Sequence, residues 1–354
     1  MNKALTFILA VLASAGLVFE TGGAELHYSP DPEGLSVSCV NGNVKFNRAL
    51  YGAHTGFRVD CSDYPEFGIY LPNMGGNMKF FLPEGDCVAT YTPGKMEYRQ
   101  GDIEMEVQTG RSHDMIIWRL TNISDRKQDV YFRYGGASGK RFSREGDLGV
   151  DRPDCFDFKE ENCNDNVYHI SDSEKGRVDV DFGAKTRYEV TLLTGDADLN
   201  VTSLPSLEGI ISLYPGQTKY LAFFPTRDLP ATSSLAALME ESETDRSAIA
   251  SSILFSGEDD WLGPVGGALA IAGDAIWSGD AWLHGSIGWR TPHLGWRGAY
   301  TGAAIGRHDR TLKHLLNYAA NQIDTIPAIY PHPQIVSTLN LARARKAWGT
   351  PMYS

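Results

Sequence analysis

The 354-residue sequence is poor in positive charge and in cysteine, and both shortages exclude classes of function. Lys and Arg number 32 against 44 Asp and Glu, which gives a net charge of −12. Binding to a phosphate backbone or an anionic membrane needs a basic surface, so neither nucleic acid nor membrane is an expected partner. The 5 cysteines include no C-x-x-C pair, which argues against a zinc site or a redox dithiol. Cys155 and Cys163 could close a short disulfide loop, and buried or free thiols are the alternative.

Several catalytic motifs are also missing from the sequence. It contains no G-x-S-x-G element, no P-loop, no dinucleotide-binding fingerprint and no H-E-x-x-H. Serine hydrolases, kinases, nicotinamide enzymes and zinc peptidases are therefore not expected. We predict no cofactor and no metal site.

The only long apolar run is at the amino terminus, where it has the form of a secretory signal. Lys3 supplies a positive residue, residues 4–12 are apolar, and Ala13-Ser14-Ala15 is a cleavage pattern, with Ala24 as a later position. A single membrane anchor is the alternative, but the run is short for a spanning helix. We predict that residues 1–24 are a signal peptide and that the mature protein is exported, to the periplasm or outside the cell, with no membrane span.

Residues 25–230 show the pattern of many short strands separated by turns. Asn41-Gly42 favours a type I′ hairpin joining strands near residues 37–39 and 44–46, and Gly101-Asp102 favours another hairpin. The continuous apolar run at residues 115–120 is typical of a central strand buried on both faces. About a dozen such strands predict a large antiparallel β-sandwich, here a super-sandwich.

Residues 231–354 have a helical pattern instead. We predict a helical linker over residues 231–256, capped by Ser233 or Ser234. Within a helical domain over residues 257–354, one helix is expected to bury the face formed by Trp261, Val265, Leu269, Ala272 and Ile276. A second helix is expected over residues 299–323, with inward residues that include Leu312, Leu315 and Leu316.

Three segments resemble a family of uncharacterised exported proteins from glycan-foraging bacteria, a domain of unknown function leading into a six-hairpin region. They are residues 47–58 (NRALYGAHTGFR), 65–72 (PEFGIYLP) and 288–300 (GWRTPHLGWRGAY). The order of sandwich, linker and helices is similar to that of two-domain polysaccharide-degrading enzymes. The resemblance implies an (α/α)₆ toroid after the sandwich, as in the six-hairpin glycosidases. Twelve toroid helices need far more chain than residues 257–354, so we expect an incomplete toroid and a truncated chain or fragment.

The stretch around residues 279–322 combines tryptophan, arginine and histidine, the side chains that stack on a sugar face and bind its hydroxyls. A structural role, with tryptophan in the core and arginine at helix ends, is the alternative. The predicted substrate-binding residues are Trp289, Arg290, His293, Trp296, Arg297, Trp282 and His284.

Glycoside hydrolysis usually takes two carboxylates, and the nearby carboxylates are Asp274, Asp280 and Asp309. We predict Asp280 as the catalytic residue, with a loop or capping aspartate as its alternative role. For Asp309 the favoured role is that of a charge on a helix surface. The resemblance implies an exported glycoside hydrolase-like protein of polysaccharide degradation, whose missing half could hold one or both catalytic acids. The alternatives are a non-catalytic carbohydrate-binding protein and an inactive fragment.

Overall fold

The protein is mainly β, with two antiparallel sheets followed by helices, as the sequence predicts. The fold comes from a computed structural model. It describes residues 17–21, 24–31, 33–41, 48–51, 58–70, 74–110, 113–136, 157–182, 189–230, 234–277, 279–283 and 295–320.

The larger sheet, sheet A, has eleven strands within the described ranges. Its strands in spatial order are β1 (Leu17–Thr21), β2 (Ala24–Asp31), β3 (Gly34–Val40), β8 (Cys87–Thr92), β9 (Lys95–Gln100), β10 (Ile103–Thr109), β11 (Ile116–Asn122), β18 (Thr218–Phe224), β15 (Val190–Leu193), β14 (Arg177–Asp181) and β13 (Val167–Ile170). β1 lies inside the range predicted as signal peptide, and it pairs with β2.

The smaller sheet, sheet B, has seven strands in the same ranges. In spatial order they are β16 (Asp198–Val201), β17 (Leu207–Leu213), β12 (Gln128–Gly135), β7 (Met74–Phe81), β6 (Glu66–Tyr70), β5 (Arg58–Cys61) and β4 (Arg48–Tyr51). Residues of β17 alternate between buried and half-buried, the period-two pattern of a strand with one face on a core.

Aromatic side chains from both sheets form the centre of the core. Phe67 of β6 packs edge-on against Trp118 of β11 and Tyr98 of β9, with ring centroids 5.7 and 5.8 Å apart. Phe80 and Phe132 extend this contact along sheet B at 6.0 Å. Such offset and edge-on pairs add to the stabilisation that comes from burying the rings, so this cluster holds the two sheets together.

The turn predictions for the sandwich have mixed outcomes. Residues 96–107 form the predicted hairpin of β9 and β10, and β11 is the predicted central strand, buried on both faces at Ile116 to Trp118. The predicted hairpin at Asn41 is wrong, because β3 already pairs with β2 on one edge and β8 on the other. Asn41 does have a positive φ of 46°, and its side chain accepts a hydrogen bond from the Cys87 N–H (2.8 Å).

Five helices lie in the described ranges: α1 (Glu160–Cys163), α2 (Leu235–Ala250), α3 (Leu262–Ala275), α4 (Gly295–Ala304) and α5 (His308–Ala320). α2 is the predicted linker helix, and the Ser234 hydroxyl caps it by accepting a hydrogen bond from the Ala237 N–H. Leu238 and Met239 of α2 pack on the outer face of sheet A against Ile117 and Phe224. This packing explains why β11 is buried on both faces.

The predicted buried face of α3 is wrong. Leu269 is exposed, and the buried side consists of small residues together with Ile271 and Asp274. At Gly267 an added Cβ would lie 3.0 Å from the Glu33 backbone, so the glycine permits close contact with the sandwich.

The single helix predicted over residues 299–323 is two helices, α4 and α5. Gly306, with φ 73°, separates them, and α5 buries His314 and Tyr318 in place of the leucines. Leu312, Leu315 and Leu316 are exposed. No helix in the described part of the chain is long and apolar enough to cross a membrane.

Candidate functional site

Much of the predicted binding stretch lies outside the described residues. This applies to His284, Trp289, Arg290 and His293. The backbone of Trp296 and Arg297 forms the first turn of α4, and the structure does not describe their side chains. The binding role of these residues stays a prediction.

Trp282, which we predicted to bind substrate, is a core residue in this structure. Its side chain is 0% exposed, and its ring lies 4.9 Å from that of Trp277, centroid to centroid. The two tryptophans also pair as an antiparallel bridge. At Gly302 an added Cβ would lie 2.7 Å from the Trp282 indole nitrogen, so α4 contacts this ring directly. A ring without exposed surface cannot stack on a sugar, and this burial corrects the prediction for Trp282.

His314 fixes the loop that carries Trp282 and Asp280. Its Nδ1 accepts a hydrogen bond from the Trp282 backbone N–H over 3.1 Å, and its ring packs 5.1 Å from that of Tyr318. An Nδ1 that accepts carries no proton, so this geometry favours the tautomer protonated on Nε2. At Gly298 an added Cβ would lie 2.4 Å from His314 Nε2, which explains the glycine in α4.

Asp274 is buried and bound by arginines, so it has a structural role. Its Oδ1 lies 2.8 Å from Arg310 and 3.3 Å from Arg307. The Arg310 guanidinium also stands 5.7 Å from the centre of the Trp277 ring. These contacts join α3 to α5 and leave Asp274 unsuited to act on a substrate.

The other two carboxylates predicted near the aromatic stretch border one cleft of about 460 Å³. Asp309, Lys313 and Asn317 lie one helical turn apart along α5, and Asp280 comes from the segment that follows α3. Asp280 forms an ion pair with Lys313 (3.2 Å), and its backbone carbonyl accepts a hydrogen bond from Asn317 Nδ2 (3.3 Å). Its side chain is 69% exposed. The cleft therefore offers carboxylate acceptors, amine and amide donors, and the apolar surface of exposed leucines.

A second cavity, of about 550 Å³, lies on the outer face of sheet A, where the sequence motifs predicted no site. Glu97 of β9 and Glu106 of β10 are directly opposite in register there, and Arg119 of β11 pairs with Glu106. Burial raises the pKa of Glu97, the Lys95 charge opposes that rise, and the Glu106 charge adds to it. The alternation of charged and apolar residues along β9 and β10 was the signal for this outward row of carboxylates.

The described residues include no group of three His, Cys, Asp or Glu side chains arranged to hold a metal ion. Cys163, whose pairing with Cys155 was an open possibility, is a buried thiol whose sulfur accepts a hydrogen bond from the Gly136 N–H (3.2 Å). Cys155 lies outside the described residues.

Comparison with known proteins matches part of the sandwich to a family. The model of a domain of unknown function, DUF4450, matches residues 71–195, which is less than half of the chain. This match supports the resemblance to a family of unknown function, and the glycan-foraging context stays a prediction. No curated protein matches the sequence.

Among solved structures, the chain is similar to one described as a kojibiose phosphorylase from the human microbiome. The two share 9% identity with a TM-score of 0.25, and the match covers 84% of this chain. The chain spans 42% of that protein's length. A TM-score this low does not establish a common fold.

Proposed function

We propose that the protein is an exported, glycoside hydrolase-like protein that acts on polysaccharide through the cleft between Asp280 and α5. The observation that carries the proposal is that Asp280 and Asp309 border the same cleft. Hydrolysis of a glycosidic bond needs two carboxyl groups. One protonates the leaving oxygen, and the other attacks the anomeric carbon or takes a proton from the attacking water.

The remaining groups of the cleft suit a sugar. Lys313 and Asn317 donate hydrogen bonds that hydroxyl oxygens accept, and exposed leucines offer an apolar surface to the C–H face of a pyranose. The resemblance of residues 288–300 to the region entering a six-hairpin domain supports a carbohydrate substrate.

A second candidate function is non-catalytic carbohydrate binding in the same cleft. It is favoured by the exposure of Asp280 and by its ion pair with Lys313, since catalytic carboxyl groups are commonly found in more enclosed surroundings. In that case Asp280 and Asp309 would act only as hydrogen-bond acceptors.

Hydrolysis and binding can be separated with the full chain and a panel of polysaccharides. We expect reducing-end release by the wild type, and a loss of roughly 100-fold or more in Asp280→Asn and in Asp309→Asn. Asp125→Asn, an exposed turn position in the sandwich, is the matched control and should retain the wild-type rate. Binding without release would support the second function, and absence of both would overturn the proposal.

Export is tested by expressing the full chain in a bacterial host. The mature protein should be recovered outside the cytoplasm, and its intact mass should indicate cleavage after Ala15 or after Ala24. Cleavage after Ala15 keeps β1 in the folded protein, whereas cleavage after Ala24 removes it. An uncleaved cytoplasmic product would contradict export.

A further inference from the structure

Two large aromatic side chains lie side by side on the outer face of sheet B. Phe81 of β7 and Tyr131 of β12 are directly opposite in register, and they are 46% and 52% exposed. Their immediate neighbours Phe80 and Phe132 point inward and are buried. The two rings form contiguous exposed apolar surface, which is a mark of a binding site.

The next row of the same face is polar, and its charges are compensated. Arg133 Nε donates a hydrogen bond to Glu208 over 2.7 Å, and Lys79 pairs with Glu66 at 3.4 Å. Asp198 and Asn200 of the edge strand β16 line the same cavity as the aromatic pair, which has a volume of about 480 Å³. The Lys79 ammonium also lies 5.7 Å from the centre of the Phe81 ring. The surface therefore combines two half-exposed rings with hydrogen-bonding groups and little net charge.

The backbone behind this surface is closely packed. At Gly209 of β17 an added Cβ would lie 2.3 Å from the Phe132 ring, so the inner side of the sheet has no free space. The Arg133 guanidinium is also held in place, because it stands 5.5 Å from the centre of the Phe158 ring. A surface held in this way loses little conformational entropy when it binds a ligand.

We propose that Phe81 and Tyr131 form a binding surface for neutral oligosaccharide chains. The apolar C–H face of a pyranose packs on an aromatic ring, while its hydroxyls donate to Glu208 and Asp198 and accept from Arg133. Compensated charge favours a neutral sugar over a uronate or a phosphate, and the net charge of −12 disfavours nucleic acid. The surface is separate from the Asp280 cleft and does not depend on hydrolysis there.

The test is affinity electrophoresis of the full chain in gels containing neutral polysaccharides: xyloglucan, hydroxyethylcellulose, laminarin or galactomannan. We expect at least one of them to retard the wild type, and Phe81→Ala or Tyr131→Ala to weaken that binding about ten-fold. Tyr131→Phe keeps the ring and should keep most of the retardation. The matched control is Tyr214→Ala, which removes an exposed tyrosine from a turn and should bind as the wild type does.

Two results would overturn the proposal. One is the absence of retardation in all four polysaccharides, and the other is equal binding by Tyr131→Ala and Tyr214→Ala. The Asp280→Asn and Asp309→Asn variants should keep the retardation that is due to the aromatic pair. If their binding is lost while Tyr131→Ala is unaffected, the cleft alone binds sugar and the aromatic surface does not.

Discussion

Arg246 Nε donates a hydrogen bond to Glu33 Oε2 over 2.8 Å, and the two residues are 213 positions apart in the sequence. Only 3% of the Arg246 side chain is exposed, and its Nη1 also donates to Gln108 Oε1 at 2.6 Å. This buried guanidinium joins α2 to the β2–β3 turn and to β10. It therefore sets the position of the helical region on the sandwich.

Replacing Arg246 should strongly destabilise the protein. Arg246→Met removes the guanidinium from Glu33, which keeps its hydrogen bond from Ser247, and from Gln108. Loss of one partner of a buried ion pair costs about 3–5 kcal/mol. The measurement is the free energy of unfolding in urea. Arg99→Met is the control, because Arg99 and its partner Glu104 are exposed and such a pair contributes roughly 0–1 kcal/mol. Equal losses in the two variants would contradict the role of Arg246.

The same pair predicts a loss of stability in acid. Burial acts to raise the pKa of Glu33, but hydrogen bonds from Ser247 and Arg246 and the Arg246 charge outweigh it, so this pKa lies below its ordinary 4.5. Because the pKa of Glu33 is lower in the folded protein than in the unfolded chain, ionised Glu33 stabilises the fold at pH values above 4.5. That stabilisation is lost as the pH falls from 4.5 through the pKa of the folded state.

Unfolding free energies should therefore fall more steeply with acid in the wild type than in Glu33→Gln, which cannot titrate at this position. The unfolding free energy of each protein is measured from pH 7 down to the lowest pH at which it still folds. Parallel pH profiles for the two proteins would show that Glu33 is not linked to folding in this way.

Replacing either of two helix glycines by alanine should change the stability of the protein, in opposite directions for the two positions. At Gly302 an added Cβ would lie 2.1 Å from Thr311 Oγ1 and 2.7 Å from the buried Trp282 indole, so Gly302→Ala should destabilise the protein. At Gly263 the nearest atom would be 3.5 Å away, and Gly263→Ala should stabilise α3 by about 0.5–1 kcal/mol. Thermal denaturation of both variants measures the contrast, and a shift in the same direction would refute it.

Cys87 should be unreactive in the folded protein. Burial, the negative charge of Asp63 and the neighbouring Cys39 raise the pKa of Cys87 to about 12. The thiolate is the reactive form, so iodoacetamide at pH 8 should label Cys87 only after unfolding. Peptide mass spectrometry measures the extent of labelling at each cysteine. The Ser173→Cys variant supplies an exposed thiol as the reference. Labelling of Cys87 at the rate of that reference would disprove the prediction.

Local turn and periodicity signals predicted the sandwich well, because strands with one buried face alternate in sequence. They were wrong at Asn41, where the positive φ is real but the partners of β3 are β2 and β8. They were also wrong in α3. Close packing at Gly266 and Gly267 needs the absence of side chains, and hydrophobic periodicity cannot detect it.

Local sequence patterns were limited in the same way for the candidate sites. The sequence placed Asp280 and Asp309 near the aromatic stretch but not near one another, and the structure brings both to one cleft. For tryptophan in this stretch the sequence left a core role as an alternative and could not decide for Trp282, since burial depends on the later α4 and α5. Phe81 and Tyr131 are 50 positions apart and meet only through the pairing of β7 with β12, which no local pattern specifies.

The position of β18 has a consequence for synthesis of the protein. Thr121 of β11 meets Thr218 of β18, 97 residues later, so a nascent chain exposes an open β11 edge while those residues are made. At an elongation rate of about 5–20 residues per second this interval is roughly 5–20 s. Open edges promote pairing between chains, so association of unfinished chains should be greatest in this interval. Once β18 is made, it pairs with both β11 and β15, so their edges are no longer open. The next element, α2, then packs on the face of the sheet that these strands form.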